Sequence, residues 1–329
     1  MAHEIEIRDG KAQMMYVGEV PWHKLGTKLD DVATAEQAIK AGGLDWQVEK
    51  RKVYTANADK TAMFRIPGKW ATVRTDLPHG ENVLGVVGES YIPIQNSKAF
   101  EVGDMLAGEG AAIYHTAGSL RNGRRTWVLM KLPGHIEVTS TDVAEKYLLF
   151  TTAHDGTEAA RLLFTPVRVV CMNTLTAAIR TGGIQARVWH AGSITWQFKN
   201  ALELLGLATE AFDETAVVYR SMAKTGIVRS EAADYFRVLM PDNPDAKKSN
   251  ATRENRRAAM MHLFEHGAGA DMPGTRGTVW QAYNAVTEWI DHSRHPKAAP
   301  ERRLENSWLG SGKIIRDRAF VEARKLAAV

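Results

Sequence analysis

The chain has 329 residues, 44% of them hydrophobic and 24% charged, which is enough for two globular domains or one domain with a long appendage. Its formal net charge of only +4 permits nucleic acid as a partner without requiring it. An argument for nucleic-acid binding must therefore rest on local clusters of cations. The single cysteine, Cys171, excludes an internal disulfide, and no apolar run approaches the roughly 18 residues of a membrane span. The N-terminus lacks the layout of a signal peptide, so we expect a cytoplasmic protein without membrane contact.

The first 192 residues are expected to form an α+β domain. Residues 1–31 show neither a helical nor a strand period and are expected to form an ordered arm or loop. The segment TAEQAIKAGG predicts the first helix, with Thr34 as its cap and Gly42 or Gly43 as its stop. Short β-branched and aromatic runs follow and predict an antiparallel meander: LDWQVEKRKVYTA, TAMFRIPG, KWATVRTD and NVLGVVGESY.

The pattern then becomes mixed and finally helical. A helix is expected from about Asn96 to Leu106, followed by a β-hairpin, the apolar strands KYLLFTTAHDG and ARLLFTPVRVVCM, a short helix TLTAAIRTGG and a strand GIQARVWHAG. From Ser193 onward, apolar residues recur three and four positions apart, which predicts helices. We therefore expect an antiparallel sheet with flanking helices in residues 1–192 and an α-helical C-terminal region in residues 193–329.

The hairpin is predicted by the stretch LRNGRRTWVLMKL, residues 120–132. Asn122 and Gly123 suit a type I′ turn, which needs positive φ at both central positions. This turn fixes the register, so that Leu120 pairs with Arg125 and Gly118 with Trp127. Strand alternation then gives one apolar face, expected to be the core, and a second face that mixes cations with aromatic and apolar residues: Tyr114, Thr116, Gly118, Leu120, Arg125, Trp127, Leu129 and Lys131.

Cations beside flat rings are the groups that single-stranded nucleic acid needs, because phosphates attract Arg and Lys while bases stack on aromatic side chains. The principal candidates for such contacts are Arg121, Arg124, Arg125, Trp127 and Lys131. A strand within WQVEKRKVY would place further basic and aromatic side chains on one face, and the second group of candidates is Lys50, Lys52 and Tyr54. The alternative is structural, since Trp127 and Leu129 could pack under a helix while the arginines are solvated at the hairpin tip.

Two short motifs suggest catalytic chemistry instead. The segment HLFEH matches H-x-x-E-H, in which His262 and His266 would bind zinc and Glu265 would activate water, although the same residues suit an ordinary helix end. His154 and Asp155 could form a catalytic pair, although Asp-Gly is also common turn chemistry. We expect both motifs to be structural, and we expect no cofactor and no metal.

Several segments together resemble the phage/plasmid-like protein family built on "domain of unknown function 932": PVRVVCMNTL (166–175), the AGSLRNGRRTWVLMKLP hairpin, YIPIQNSKAF (91–100), the TTAHDGT turn and GTVWQAYNAVTEWIDH (277–292). The likeness includes the WHKLGTKL opening and covers nearly the whole chain. It implies residence in phages, plasmids and integrated elements of bacterial hosts, where DNA replication and recombination proteins are common. It assigns no catalytic residues.

The expectation that combines these observations is a non-enzymatic DNA-handling protein of a phage or mobile element. It would bind single-stranded DNA, promote strand annealing in recombination or replication, and form a homo-oligomer. Two alternatives remain, a metal-dependent enzyme and a protein-binding inhibitor of host defence.

Overall fold

The computed structural model describes residues 6–18, 26–30, 33–78, 80, 82–107, 113–168, 173–174, 185–193, 197, 208–244, 247–294, 306 and 310–328. Its strands are β1 (Ile7–Arg8), β2 (Lys11–Ala12), β3 (Met14–Val17), β4 (Thr27–Leu29), β5 (Val48–Ala56), β6 (Met63–Arg74), β7 (Val83–Gly88), β8 (Ile113–Leu120), β9 (Arg125–Glu137), β10 (Val143–Ala153), β11 (Ala160–Arg168), β12 (Asn173–Thr174) and β13 (Gln185–Val188). Its helices are α1 (Ala35–Ala41), α2 (Asn96–Ala107), α3 (Ala208–Lys224), α4 (Arg229–Leu239), α5 (Lys247–His266), α6 (Val279–Glu288) and α7 (Ser311–Leu326). The fold is α+β with mostly antiparallel strands and C-terminal helices, as predicted.

The main sheet has eight strands in the order β12-β11-β10-β9-β8-β3-β4, with β13 also paired to β11. Residues 1–31 were expected to form an ordered arm or loop, and this expectation is wrong for the strands there: β1 and β2 pair with each other as a small sheet, and β3 pairs with β8 and with β4 in the main sheet. For β3 the reason is the apolar run MMYV, whose four residues are all buried in the sheet. A second sheet contains three strands in the order β5-β6-β7.

The second sheet differs from the prediction at one point. The runs TAMFRIPG and KWATVRTD were expected to be two strands, but they form the single strand β6, which pairs with β5 on both sides of an irregularity. Pro67 cannot donate to the ladder, and Gly68 takes a φ of +65°, so these two residues lie in the bulge between the paired segments.

Both faces of the main sheet are buried. On one face, residues such as Val128 and Phe150 pack with α1, α2 and the root of the second sheet. Helix α1 begins at the predicted cap, where Thr34 and Gln37 form a reciprocal capping box. The opposite face carries its own buried cluster: Met14, Leu120, Trp127, Leu129, Tyr147, Leu149, Leu163 and Val167.

The C-terminal helices form a third core around Trp280, Tyr219 and Phe320. They are joined to the main sheet through the Trp280 indole, which donates a hydrogen bond to Asp142 at 2.8 Å. Thr174, where the predicted helix TLTAAIRTGG was to begin, belongs to strand β12. The rest of that segment and most of the stretch from Ser193 to Ala208 lie outside the described residues, as does Cys171. Within the described part of the chain, no helix is long and apolar enough to cross a membrane.

Candidate nucleic-acid interface

A β-hairpin formed by β5 and β6 presents basic and aromatic side chains on one face. The register pairs Lys52 with Trp70 and Tyr54 with Arg65 across the two strands. Two cations lie over the Trp70 ring, with Lys50 Nζ at 5.2 Å and the Arg65 guanidinium carbon at 5.6 Å from its centre. These five residues, Lys50, Lys52, Tyr54, Arg65 and Trp70, are called the basic–aromatic face below.

Specific hydrogen bonds fix the root of this hairpin to the body of the protein. The side-chain amide of Gln95 donates to the Val48 carbonyl at 3.0 Å and accepts from the Val48 backbone N–H at 2.9 Å. The Lys50 ammonium donates to the carbonyls of Glu89 and Tyr91 at 2.6 and 2.9 Å. Lys50 is therefore held at the root, while the outer part of the face extends into solvent.

The hairpin concentrates the positive charge of the chain. Residues 48–73, which leave out the buried and paired Arg74, contain six Lys and Arg against two acidic residues, a net +4, so the remainder of the chain has no formal net charge. Lys52 and Arg65 are exposed, and neither forms an ion pair with a carboxylate among the described residues. Tyr54 is also open to solvent, with 48% of its surface exposed. The outer half of the basic–aromatic face thus offers two available cations and an aromatic ring.

The Asn122–Gly123 turn between β8 and β9 lies against the root of this hairpin. Both residues have positive φ, 57° and 85°, as the type I′ turn requires. Gly123 packs so closely on the Trp46 ring that an added Cβ would lie 2.8 Å from it. Arg121 and Arg124 are exposed beside these residues, so the turn carries the principal cationic candidates close to the hairpin root.

A buried arginine joins the turn to the second sheet. The Arg74 side chain is 0% exposed and donates to the carboxylate of Glu6 at 2.6 Å and to the carbonyl of Asn122 at 3.1 Å. It also makes a two-pronged contact with Asp76, at 3.0 and 2.9 Å, and its guanidinium carbon lies 4.2 Å from the centre of the Trp46 ring. We call this set, Arg74, Glu6, Asp76, Asn122 and Trp46, the arginine clasp.

The clasp also holds the N-terminal segment. Arg8 pairs with Asp76 at 2.6 Å, and the Ser119 hydroxyl of β8 donates to Glu6 at 2.8 Å. Burial works against ionisation of Asp76, but the hydrogen bonds from Arg74 and Arg8 outweigh it and keep the pKa of this carboxyl below its usual value. The clasp therefore connects the segment around Glu6 and Arg8 with the main sheet and the second sheet through charged groups.

The other predicted residues of the β8–β9 hairpin are placed differently. The register is as predicted from Leu120, opposite Arg125, through Gly118, opposite Trp127, to Thr116. Beyond Thr116 a bulge shifts the register, so Tyr114 pairs with Met130 and packs in the cluster of the first face, and its assignment to the second face is wrong. However, Trp127 is only 3% exposed and its ring lies over Gly118, where an added Cβ would be 2.6 Å from it. The expectation that this ring is open for stacking is wrong, because the second face of the sheet is also core.

Two predicted cations of β9 are already paired. Arg125 is buried and contacts Glu158 at 2.5 Å. Lys131 contacts Glu145 at 2.5 Å, and Glu145 also accepts a hydrogen bond from the Tyr147 hydroxyl. Either cation would have to give up a carboxylate before it could bind a phosphate, which makes both weaker candidates than Arg124 or Lys52.

The sequence reasoning found Lys50, Lys52 and Tyr54 but missed Arg65 and Trp70 on the neighbouring strand. The dipeptide Pro67–Gly68 was interpreted as a break between two strands, so the partner of β5 was not recognised. A continuous β-branched and aromatic pattern on both sides of that dipeptide was the signal that could have shown one bulged strand.

The His154–Asp155 pair forms a structural turn. Burial, with smaller contributions from His190 and Arg74, lowers the pKa of His154 to about 3, so the ring is neutral at physiological pH. Its Nε2 lies 3.0 Å from the side-chain oxygen of Asn96, while Asp155 accepts hydrogen bonds from the backbone and hydroxyl of Thr157. The two side chains are thus engaged with other partners and share no proton.

The HLFEH segment lies at the end of α5. The rings of His262 and His266 are exposed and lie 5.0 Å apart, and Glu265 pairs with Arg229 at 2.6 Å. Among the described residues, no group of three or more His, Cys, Asp or Glu side chains is arranged to hold a metal ion. The carboxylate of Glu265, which the motif would use to activate water, is thus paired with a cation that lies in α4.

Comparison with known proteins gives one result. The family model described as "Domain of unknown function (DUF932)" matches residues 83–317, which is more than two thirds of the chain. No curated protein and no solved structure matches. The matched range includes the β8–β9 turn and the helical region, while the β5–β6 hairpin precedes it. By this match, the chain belongs to the DUF932 family.

Proposed function

We propose that this protein is a DNA-handling protein of a phage or mobile element that binds single-stranded DNA through the basic–aromatic face. The observation that carries the proposal is the concentration of a net +4 charge in residues 48–73 of one hairpin, whose outer face combines exposed Lys52 and Arg65 with the ring of Tyr54. Arg121 and Arg124 extend this cationic surface at the hairpin root. No catalytic group is needed for this role.

The chemistry of the face suits a single strand better than a duplex. Cations attract the phosphates of either, but bases stack on aromatic side chains only when they are unpaired, and each stacked base contributes roughly 1–3 kcal/mol. Tyr54 is exposed next to Arg65, so a phosphate and the adjacent base could be bound together. Strand annealing belongs to the same proposal and requires that the bases of a bound strand remain available for pairing. Homo-oligomer formation is a further part of the proposal.

The proposal is tested by fluorescence anisotropy with a labelled single strand of mixed sequence and with the corresponding duplex. We expect tighter binding of the single strand, and a loss of about tenfold or more in the double variant Lys52→Gln with Arg65→Gln. The matched control is Lys224→Gln with Arg276→Gln, which removes the same two charges from exposed positions elsewhere and should leave affinity unchanged.

A complementary strand is then added to the bound strand to test annealing. Faster pairing than in protein-free solution is expected for the wild type and the control, and a reduced effect for the hairpin variant. Equal affinities of the hairpin variant and the control would contradict the proposed interface. Tighter binding of the duplex than of the single strand would contradict the stacking mechanism.

A further inference from the structure

Two arginines face each other on the edge of the main sheet. The register pairs Arg161 of β11 directly with Arg187 of the edge strand β13. The Cβ atoms of such a pair are about 4.5–5.5 Å apart, and like charges placed opposite one another destabilise a sheet. A nearby anion would relieve this repulsion.

The charges around this pair are only partly compensated. Glu158 contacts Arg125 at 2.5 Å and Arg161 at the longer distance of 3.4 Å, so one carboxylate serves two guanidinium groups. Arg187 is exposed and forms no ion pair with a carboxylate of the described residues. In addition, the Nε of Arg161 is buried without a hydrogen-bond partner in the described part of the chain. The pair therefore has both excess positive charge and an unused donor.

An exposed tryptophan lies on the same side of the sheet. Trp189 follows Arg187 by two positions, and the alternation of buried and exposed residues continues through it, with 59% of Trp189 exposed. Its backbone is held by Gln197, whose side chain accepts from the Trp189 N–H at 2.7 Å and donates to the Trp189 carbonyl at 3.3 Å. A rigid backbone with a solvent-exposed indole is a suitable stacking platform.

We propose that Arg161, Arg187 and Trp189 form a nucleotide-binding site, in which the two arginines hold a phosphate and the indole stacks on the base. Planar guanidinium groups match phosphate oxygens, and the spacing of two residues along a strand, roughly 6.6 Å, is comparable to the span between the phosphate and the base of one nucleotide. The ligand is thus a phosphate joined to a flat ring.

This site is separate from the basic–aromatic face and does not depend on it. Arg161 and Arg187 are on the face of the main sheet that carries Leu163, whereas the root of the second sheet packs with Leu162 on the opposite face. A ligand at the arginine pair would therefore not occupy the surface of the hairpin.

Isothermal titration calorimetry with thymidine 5′-monophosphate at low salt tests this site. We expect saturable binding to the wild type, weakened about fivefold or more by Trp189→Ala and about tenfold or more by Arg187→Gln. Both residues are exposed, so neither substitution removes core packing. Arg276→Gln, which removes an exposed arginine elsewhere, is the matched control and should bind as the wild type does.

Three results with the wild type and the site variants would overturn the inference. The first is absence of saturable binding, and the second is unchanged affinity in both site variants. The third is inorganic phosphate that binds as tightly as the nucleotide, which would indicate an anion site without base recognition. The hairpin variant Lys52→Gln with Arg65→Gln separates the two proposals, because it should lose the single strand and keep the mononucleotide. Loss of mononucleotide binding in that variant would place the ligand on the hairpin and also overturn the inference.

Discussion

Replacement of Arg74 by methionine is expected to destabilise the fold by about 3–5 kcal/mol. The guanidinium is fully buried and binds Glu6 at 2.6 Å, Asp76 at 2.9 and 3.0 Å, and the carbonyl of Asn122 at 3.1 Å. Methionine fills much of the same volume, so the cost comes mainly from Glu6, which is 6% exposed and would keep only the Ser119 hydroxyl as a described partner. An uncompensated buried carboxylate is much more costly than a lost surface ion pair.

Urea denaturation followed by circular dichroism measures this loss. The double variant Arg74→Met with Glu6→Gln should be more stable than Arg74→Met alone, because no buried charge remains without its partner. If the single variant lost less than about 1 kcal/mol, or the second substitution destabilised it further, the clasp would contribute no more than a surface pair.

Four other substitutions test separate parts of the structure. Trp127→Ala should reduce the free energy of unfolding in urea by about 3–5 kcal/mol without changing single-strand affinity where the protein remains folded. Tyr54→Ala should weaken single-strand binding with little effect on stability. The reverse pattern would refute the assignment of Trp127 to the core. Because the pKa of His154 is lowered in the folded state, its contribution to stability is fully present above the unfolded pKa near 6.5 and is lost as pH falls toward 3. His154→Gln should therefore reduce the slope of unfolding free energy against pH in that range, and an unchanged slope would indicate that the ring is accessible to protons. Gly118→Ala should destabilise the fold by about 1–3 kcal/mol, since the added Cβ would lie 2.6 Å from the Trp127 ring. A thermal melt like that of the wild type would show that the two strands can move apart at that point without cost.

The features that were correctly predicted are those with local causes. The cap at Thr34 depends on residues within one helical turn, and the turn at Asn122–Gly123 depends on the φ values that two residues can adopt. From that turn, strand geometry alone gave the pairing of Gly118 with Trp127. No tertiary information was required for any of these.

The exposure of Trp127 could not be predicted in the same way. Alternation assigns residues to two faces of a strand but does not say whether the second face is covered, and here both faces carry buried clusters. The sequence also did not show that Arg125 and Lys131 are already paired. Their partners, Glu158 and Glu145, lie outside the β8–β9 hairpin. Pairing between elements that are distant in sequence was the missing information.

The partner residues of the hairpin were missed for a related reason. Pro67 and Gly68 have the composition of a turn, yet the strand continues through them as a bulge because β5 supplies pairing on both sides of them. Tertiary pairing thus overrode a local signal, and Arg65 and Trp70 were not connected to Lys52 and Tyr54 from the sequence.

The most direct test of the account is the salt dependence of single-strand binding. Two phosphate contacts from Lys52 and Arg65 should contribute about 1.4 to the slope of log affinity against log salt concentration, so the double Gln variant should have a slope smaller in magnitude by about that amount. Lys69→Gln is the control, because Lys69 directly precedes Trp70 in the paired part of β6 and therefore lies on the opposite face of the same hairpin. A reduced slope in the double variant with an unchanged slope in the control is the predicted result. Equal slopes for the double variant and the wild type would show that the basic–aromatic face does not contact the DNA.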